Sequence, residues 1–157
     1  MPGATKPVIT ICSSSSFYKH AGEIKDFLID QDFEVIIPKM AEEMRLKKNF
    51  ERMNYQPWLT DPKAYHVKAG LIRGHFNEVA KADAILVLND KKHGVANYIG
   101  GNVLMEMAVA FHLNIPIFIL NGTPDESSYI EEILGMEPVV LKGKIENFAK
   151  EYKKTKP

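Results

Sequence analysis

Residues 84–89 read Ala84-Ile-Leu-Val-Leu-Asn89, and residues 99–110 read Ile99-Gly-Gly-Asn-Val-Leu-Met-Glu-Met-Ala-Val-Ala110. The first run is apolar on both faces and stops at a polar residue, as a strand buried in a parallel sheet does. The second opens on two glycines and continues as an apolar helix. A buried strand that feeds a glycine-led helix is the repeating half of a βαβ unit.

The same alternation runs outward in both directions. Pro7 to Cys12, Glu34 to Pro38, Ile115 to Asn121 and Pro138 to Leu141 are further short apolar runs. Between them lie helical patterns. Tyr18 to Gln31 sets Ile24, Phe27 and Leu28 on one face, and Lys63 to Lys81 spaces Val67, Leu71 and Val79 at helical intervals. Ser127 to Leu134 and Ile145 to Tyr152 are shorter and amphipathic. The pattern predicts a single α/β domain over residues 1–157, Rossmann- or flavodoxin-like, with a five-stranded parallel sheet flanked by helices. Lys39 to Asp61 interrupts the rhythm as a charged, Met-containing insertion after the second strand, and is expected to be a lid or a dimer arm.

Composition narrows the function. The 157 residues carry 20 Lys and Arg against 20 Asp and Glu, a balance that excludes a dedicated binder of nucleic-acid polymers. The balance is uneven along the chain, because residues 39–81 hold nine basic against five acidic residues. The longest apolar region, Val103 to Leu120, contains Glu106, His112, Asn114 and Pro116, which argues against a membrane span. Met1 to Lys6 has no apolar stretch, so no signal peptide is expected. The lone Cys12 can form neither an internal disulfide nor a thiolate cage, which suits a reducing, cytoplasmic setting.

Ligands of an open parallel sheet bind beyond the carboxyl ends of its strands. Three stretches there carry chemistry. Ser13, Ser14, Ser15 and Ser16 follow the first strand and offer hydroxyls and helix-start N–H groups to an anion, with Lys19 and His20 nearby in sequence. Gly100 and Gly101 permit close approach of backbone to a ligand, and Glu106 follows as a single acid on an apolar helix. Such a burial is costly unless the carboxylate is hydrogen-bonded or used. Asp83 precedes the third strand, while Asn89 and Asp90 end it, where they are placed to meet a sugar hydroxyl. Trp58 and Tyr98 lie in two ligand-side loops and could sandwich a planar ring. The histidines show no metal-ligand spacing beyond His75-x-x-Glu78, so no metal is expected.

These residues resemble the nucleoside 2-deoxyribosyltransferase-like superfamily, which includes the deoxyribosyltransferases and the nucleotide N-glycosidases. The resemblance covers roughly Ile9 to Leu120. Ile11-Cys-Ser-Ser14 is similar to its first-strand loop, Lys81-Ala-Asp-Ala-Ile-Leu-Val-Leu88 to its acid-plus-strand, and Gly100-Gly-Asn-Val-Leu-Met-Glu-Met-Ala108 to its helix start. It implies Glu106 as the nucleophile at the anomeric carbon, Asp83 as the acid/base partner near the departing base, and Ser14 with its neighbouring serines on the sugar or a 5′-phosphate. The resemblance also implies Asn121 as a substrate-side residue near a neighbouring subunit's site. The chain departs from the family at Gly100, where Asp or Ser is common, at Ala108, where Gly is preferred, and in the first loop, which lacks an Arg.

The chemistry is coherent. Breaking an N-glycosidic bond passes through an oxocarbenium-like state that a carboxylate stabilises or captures. In retaining glycosidases the second carboxyl sits about 5–5.5 Å from the first, so one of the two pKa values rises. The expected ligand is a nucleoside or its 5′-monophosphate, with no cofactor, and a homodimer or larger assembly is implied. Two other readings remain: a nucleotide-sensing module of the same fold, and a flavodoxin-like electron carrier that would leave Glu106 idle.

Overall fold

The strands β1 (Val8–Ser13), β2 (Glu34–Ile36), β3 (Ala84–Leu88), β4 (Ile117–Ile119) and β5 (Val139–Val140) form one parallel sheet in the order β2-β1-β3-β4-β5. A computed structural model describes residues 3–157; Met1 and Pro2, the start of the segment expected to lack a signal peptide, lie outside the described residues. Helices α1 (Tyr18–Asp30), α3 (Tyr65–Ala80), α4 (Gly101–His112), α5 (Ile130–Gly135) and α6 (Phe148–Lys154) fall in the expected segments. The expected α/β architecture is therefore present, within a few residues at most boundaries.

Strand alternation sorts the core into two layers. Ile9 and Ile11 of β1 and Leu86 and Leu88 of β3 face α1 and α6, packing with Leu28, Phe33, Phe118 and Phe148. Cys12, Ile85 and Val87 face the other way, toward Val79 of α3, Val103 and Met107 of α4, and Ile133 of α5. With both faces covered, the strands have no polar side to show, which is why they read as unbroken apolar runs. Thr10 is the exception inside β1, before the strand ends at Ser13, and its buried hydroxyl donates to the Glu78 carbonyl at 3.1 Å, tying α3 to the sheet.

The insertion is more ordered than its sequence suggested. Lys39–Lys47 forms helix α2, which ends at Lys48 in the left-handed region (φ 54°). Short 3-10 turns follow at Arg52–Asn54, Pro57–Leu59 and Pro62–Ala64. Met40 and Met44 of α2 pack with Trp58 and Ala64 into a separate small core, with Tyr18 and Leu71 against it. Trp58 is thus both the packing anchor of the insertion and part of the cleft wall described below.

The last helix is held by aromatics. Phe148 is fully buried, 5.3 Å edge-on from Phe33 and 4.9 Å from Phe118 between ring centres. Removing the ring leaves a cavity among groups fixed by the sheet, so Phe148→Ala is expected to cost about 3–5 kcal/mol. Equilibrium urea unfolding checks this, with an unchanged m-value showing that two-state behaviour survives.

Candidate active site

The strand order reverses between β1 and β3, and a cleft of about 1200 Å³ opens at their carboxyl ends. Ser13, Ser14 and Ser15 form one side, Gly100, Gly101 and Glu106 a second, and Arg52 and Trp58 of the insertion a third. Tyr98 also lines it, so the two predicted aromatics share one cleft with the serine loop and Glu106. Gly100 lets the Tyr98 ring approach closely, since a Cβ there would sit 3.0 Å from the Tyr98 hydroxyl and the ring would have to shift.

Glu106 lies at the buried end. It is only 7% exposed, and its Oε2 has no hydrogen-bond partner. Burial pushes its carboxyl up to about 8, and the Cys12 thiol beside it pulls weakly the other way. The Cys12 thiol is itself raised well above its ordinary value by burial and then by the Glu106 charge, so it stays protonated. His75 of α3 completes the cluster, its Nε2 3.9 Å from Glu106 Oε2. Sulfur, imidazole nitrogen and carboxylate oxygen lie within 4.8 Å of one another, although the three residues come from β1, α3 and α4.

That donor set resembles a metal site, but one of its members is committed. His75 Nε2 is 3.1 Å from the Ile11 carbonyl, which can only accept, so this nitrogen carries a proton. It is also the nitrogen near Glu106. Burial lowers the His75 pKa, with the Ile11 bond and the Glu78 charge opposing, so the ring is neutral.

A basic group lies beside the serine loop. Lys92 donates to the Ser14 hydroxyl at 2.9 Å and sits 5.0 Å above the Tyr98 ring. Its pKa is lowered, first by partial burial and then by the Arg52 charge, so two cations face one region of the cleft. Among the described residues, neither Lys92 nor Arg52 belongs to an ion pair. Both were missed in the sequence, where Arg52 was only one of the nine basic residues counted over 39–81 and Lys92 was not singled out. Ser14 also caps the turn at Ser15–Phe17 by accepting from Ser16 N at 3.4 Å, and Ser16 itself is exposed outside the cleft.

Besides Ser16, four expected site residues are placed elsewhere. Asp83 lies at the opposite end of β3, where its carboxylate accepts from Val8 N at 2.7 Å and its own N–H donates to the Val8 carbonyl at 2.8 Å. Cys12 pairs with Val87, four residues on from Asp83, or about 13 Å along a strand. Asp83 therefore does not pair with Glu106 and is not its acid/base partner; it pins the start of the β1–β3 register. Asn89, Asp90 and Asn121 form a closed polar network rather than a ligand surface. Asn89 Nδ2 donates to the Gly122 carbonyl at 2.8 Å, and Asn89 Oδ1 accepts from Asn121 N at 3.0 Å. Asn121 Nδ2 donates to Asp90 Oδ1 at 3.1 Å, and His20 bonds the other Asp90 oxygen at 2.7 Å. His20 is thus held away from the anion-binding role suggested for it, and Lys19 lies on the exposed surface.

No protein-family model matches the chain, and no curated protein matches it either.

The raised Glu106 carboxyl has a stability signature. Between the ordinary carboxyl value near 4.5 and about 8, the folded protein holds a proton that the unfolded chain has lost. Stability therefore falls as pH rises through that window and levels off above it. Glu106→Gln removes this term, so its melting temperature is expected to gain on the native protein from pH 5 to 9, by an amount equivalent to at most about 4–5 kcal/mol. Parallel pH slopes for the two proteins in scanning calorimetry would refute the assigned burial of Glu106.

Proposed function

We propose that the protein cleaves or transfers the N-glycosidic bond of a nucleoside 5′-monophosphate, with Glu106 facing the anomeric carbon. The observation that carries this reading is the unpartnered, buried carboxyl at the end of a cleft wide enough for a nucleotide. Ionising Glu106 there is costly because nothing positive is near it, and an oxocarbenium-like centre is the positive charge that would compensate. Capture of that centre forms a glycosyl ester to Glu106 as the bond to the base breaks, and water or a second base then takes the sugar.

The other groups of the cleft fit the same ligand. Trp58 and Tyr98 are suited to the flat face of a base, and Lys92, Arg52 and Ser14 to a 5′-phosphate. The departing base needs a proton that Asp83 is too far away to give. Glu78, which lines the cleft three residues after His75 on α3, is the carboxyl we assign to that task. Exposed Tyr65, Met105 and Phe111 on α3 and α4 support a homodimer or larger assembly. No helix among the described residues is long and apolar enough to cross a membrane, and a buried free thiol suits a reducing cytoplasm. One observation favours the nucleotide-sensing alternative: Asp83, the carboxyl that the family resemblance pairs with Glu106, is bonded to Val8 at the opposite end of β3.

A panel of nucleosides and 5′-monophosphates, with and without acceptor bases, separates these readings when free base is followed by chromatography. Base release is expected from at least one 5′-monophosphate, to be lost at least a thousandfold in Glu106→Ala and retained within about threefold in Asp83→Asn that has folded. Tight binding with no release from any substrate would leave the sensor reading in its place.

The phosphate assignment has its own check. Lys92→Ala removes a charge-assisted hydrogen bond, worth about 1.5–3 kcal/mol, so kcat/KM for the monophosphate should fall about ten- to a hundredfold. The matching nucleoside should be affected far less. Equal losses for the two substrates would remove the phosphate from this end of the cleft.

A further inference from the structure

Glu106 Oε2 lacks a partner, and a donor stands just out of reach. The ionisable groups that act on its end of the cleft are Cys12 from β1, Tyr18 from α1 and His75 from α3. Glu78 acts in turn on His75, and Arg52 acts on Tyr18 and on Lys92 across the cleft. Tyr18 and Cys12 are both held in their protonated forms, chiefly by burial. Neither supplies a partner to Glu106 Oε2, which remains unbonded.

His75 Nε2–H is the remaining donor. It rests at 3.1 Å on the Ile11 carbonyl and lies 3.9 Å from Glu106 Oε2. A hydrogen bond to the carboxylate needs about 2.7–3.2 Å, so the ring must close by roughly 1 Å. We propose that His75 is a positioning residue with two stations, donating to the Ile11 carbonyl while Glu106 is neutral and to Glu106 Oε2 once that carboxyl ionises for attack on the sugar. The proposal rests on the reading of Glu106 as the nucleophile.

The choice of group follows from the chemistry. No proton is transferred, because the imidazole stays neutral and keeps its Nε2 hydrogen throughout. A Lys in this place would form a full ion pair, which would hold the carboxylate too firmly and compete with the cationic centre of the sugar. A neutral donor orients the carboxylate and leaves its charge uncompensated until the sugar supplies the compensation. The backbone carbonyl of Ile11 is what makes the device possible, since it keeps the N–H satisfied in the empty cleft and fixes the tautomer.

Two measurements test it, one with and one without turnover. In the first, kcat/KM for base release is followed from pH 5 to 10. The native protein should gain activity as pH rises through about 8, where Glu106 ionises. His75→Gln places an amide N–H near the Nε2 position and should keep that profile within about threefold. His75→Leu should move the rising limb up by about one pH unit, a loss of about tenfold at pH 7 that is recovered at high pH. A loss that is the same at every pH in both variants would mark His75 as merely structural and overturn the proposal.

The second measurement uses the native protein without substrate. The Glu106 carboxyl carbon and the His75 Nε2–H group are followed by NMR across the same range. The Nε2–H shift should titrate together with the carboxyl, and an Nε2–H signal that stays flat while Glu106 ionises overturns the proposal even if the enzyme is active. Coupled titration with no base released from any substrate would instead sustain the His75 device and remove the glycosidase reading. Should His75→Leu fail to fold, this measurement decides alone.

Discussion

The pairing of β1 with β3 fixes both the fold and the place of its chemistry. Five consecutive residues, Ile9 to Ser13, register with Ala84 to Leu88, although more than seventy residues separate them in the chain. Because β2 lies on the other side of β1, the chain turns away in opposite directions from these two central strands. The gap between the departing connections is the cleft, and no loop has to be long to make it. Asp83 sets the register at one end by clamping both backbone groups of Val8. At the other end the same register delivers Cys12 and Ser13 beside Glu106 and the glycine turn. A slip of one residue would turn Cys12 toward α1 and replace it with an isoleucine.

The elements were legible because their periods are distinct. Runs such as Ala84 to Leu88 are too apolar for any position except the middle of a covered sheet, and the observed strand is buried at every residue. The glycine pair before Glu106 marked a helix start that the structure shows at Gly101, and the lone acid marked the buried end of the cleft. Helix α2 was missed because Lys39 to Lys48 looks like a solvated charge run. Its apolar face is the narrow pair Met40 and Met44, one turn apart and buried against Trp58.

The partners of Glu106 were less legible, for a reason of geometry. Sequence reading pairs a residue with others of the right type at a suggestive spacing, and Asp83 satisfied that test. Strand direction decides otherwise, since β1 and β3 run parallel, so a residue before β3 and a residue near the end of β1 lie at opposite ends of the strands. His75 drew notice in the sequence only for its spacing to Glu78, and it is one of the few buried residues of the mostly exposed α3. Its neighbours in space come from β1 and α4, and no one-dimensional spacing records that convergence. Asn89, Asp90 and Asn121 were read as ligand groups from their place after strands. Their side chains are instead spent on one another and on the loop backbone, and none of them lines the cleft.

Neutrality of the whole chain conceals a separation of charge inside the cleft. Among the described residues, the carboxyl at the buried end has no charged counter-ion, and the cations at Lys92 and Arg52 form no ion pair with an acid. If the two sets were in contact they would neutralise each other and the cleft would gain stability without gaining a ligand. Lys92 is instead turned onto Ser14 and the Tyr98 ring, and Glu106 onto a thiol and an imidazole that carry no charge. The protein therefore bears two unmet electrostatic demands some way apart, one for an anion and one for a developing cation. The substrate proposed above, with a fixed negative group at one end and a sugar carbon that becomes positive during reaction, would meet both demands at once, and the second only in the transition state, which is where stabilisation raises the rate.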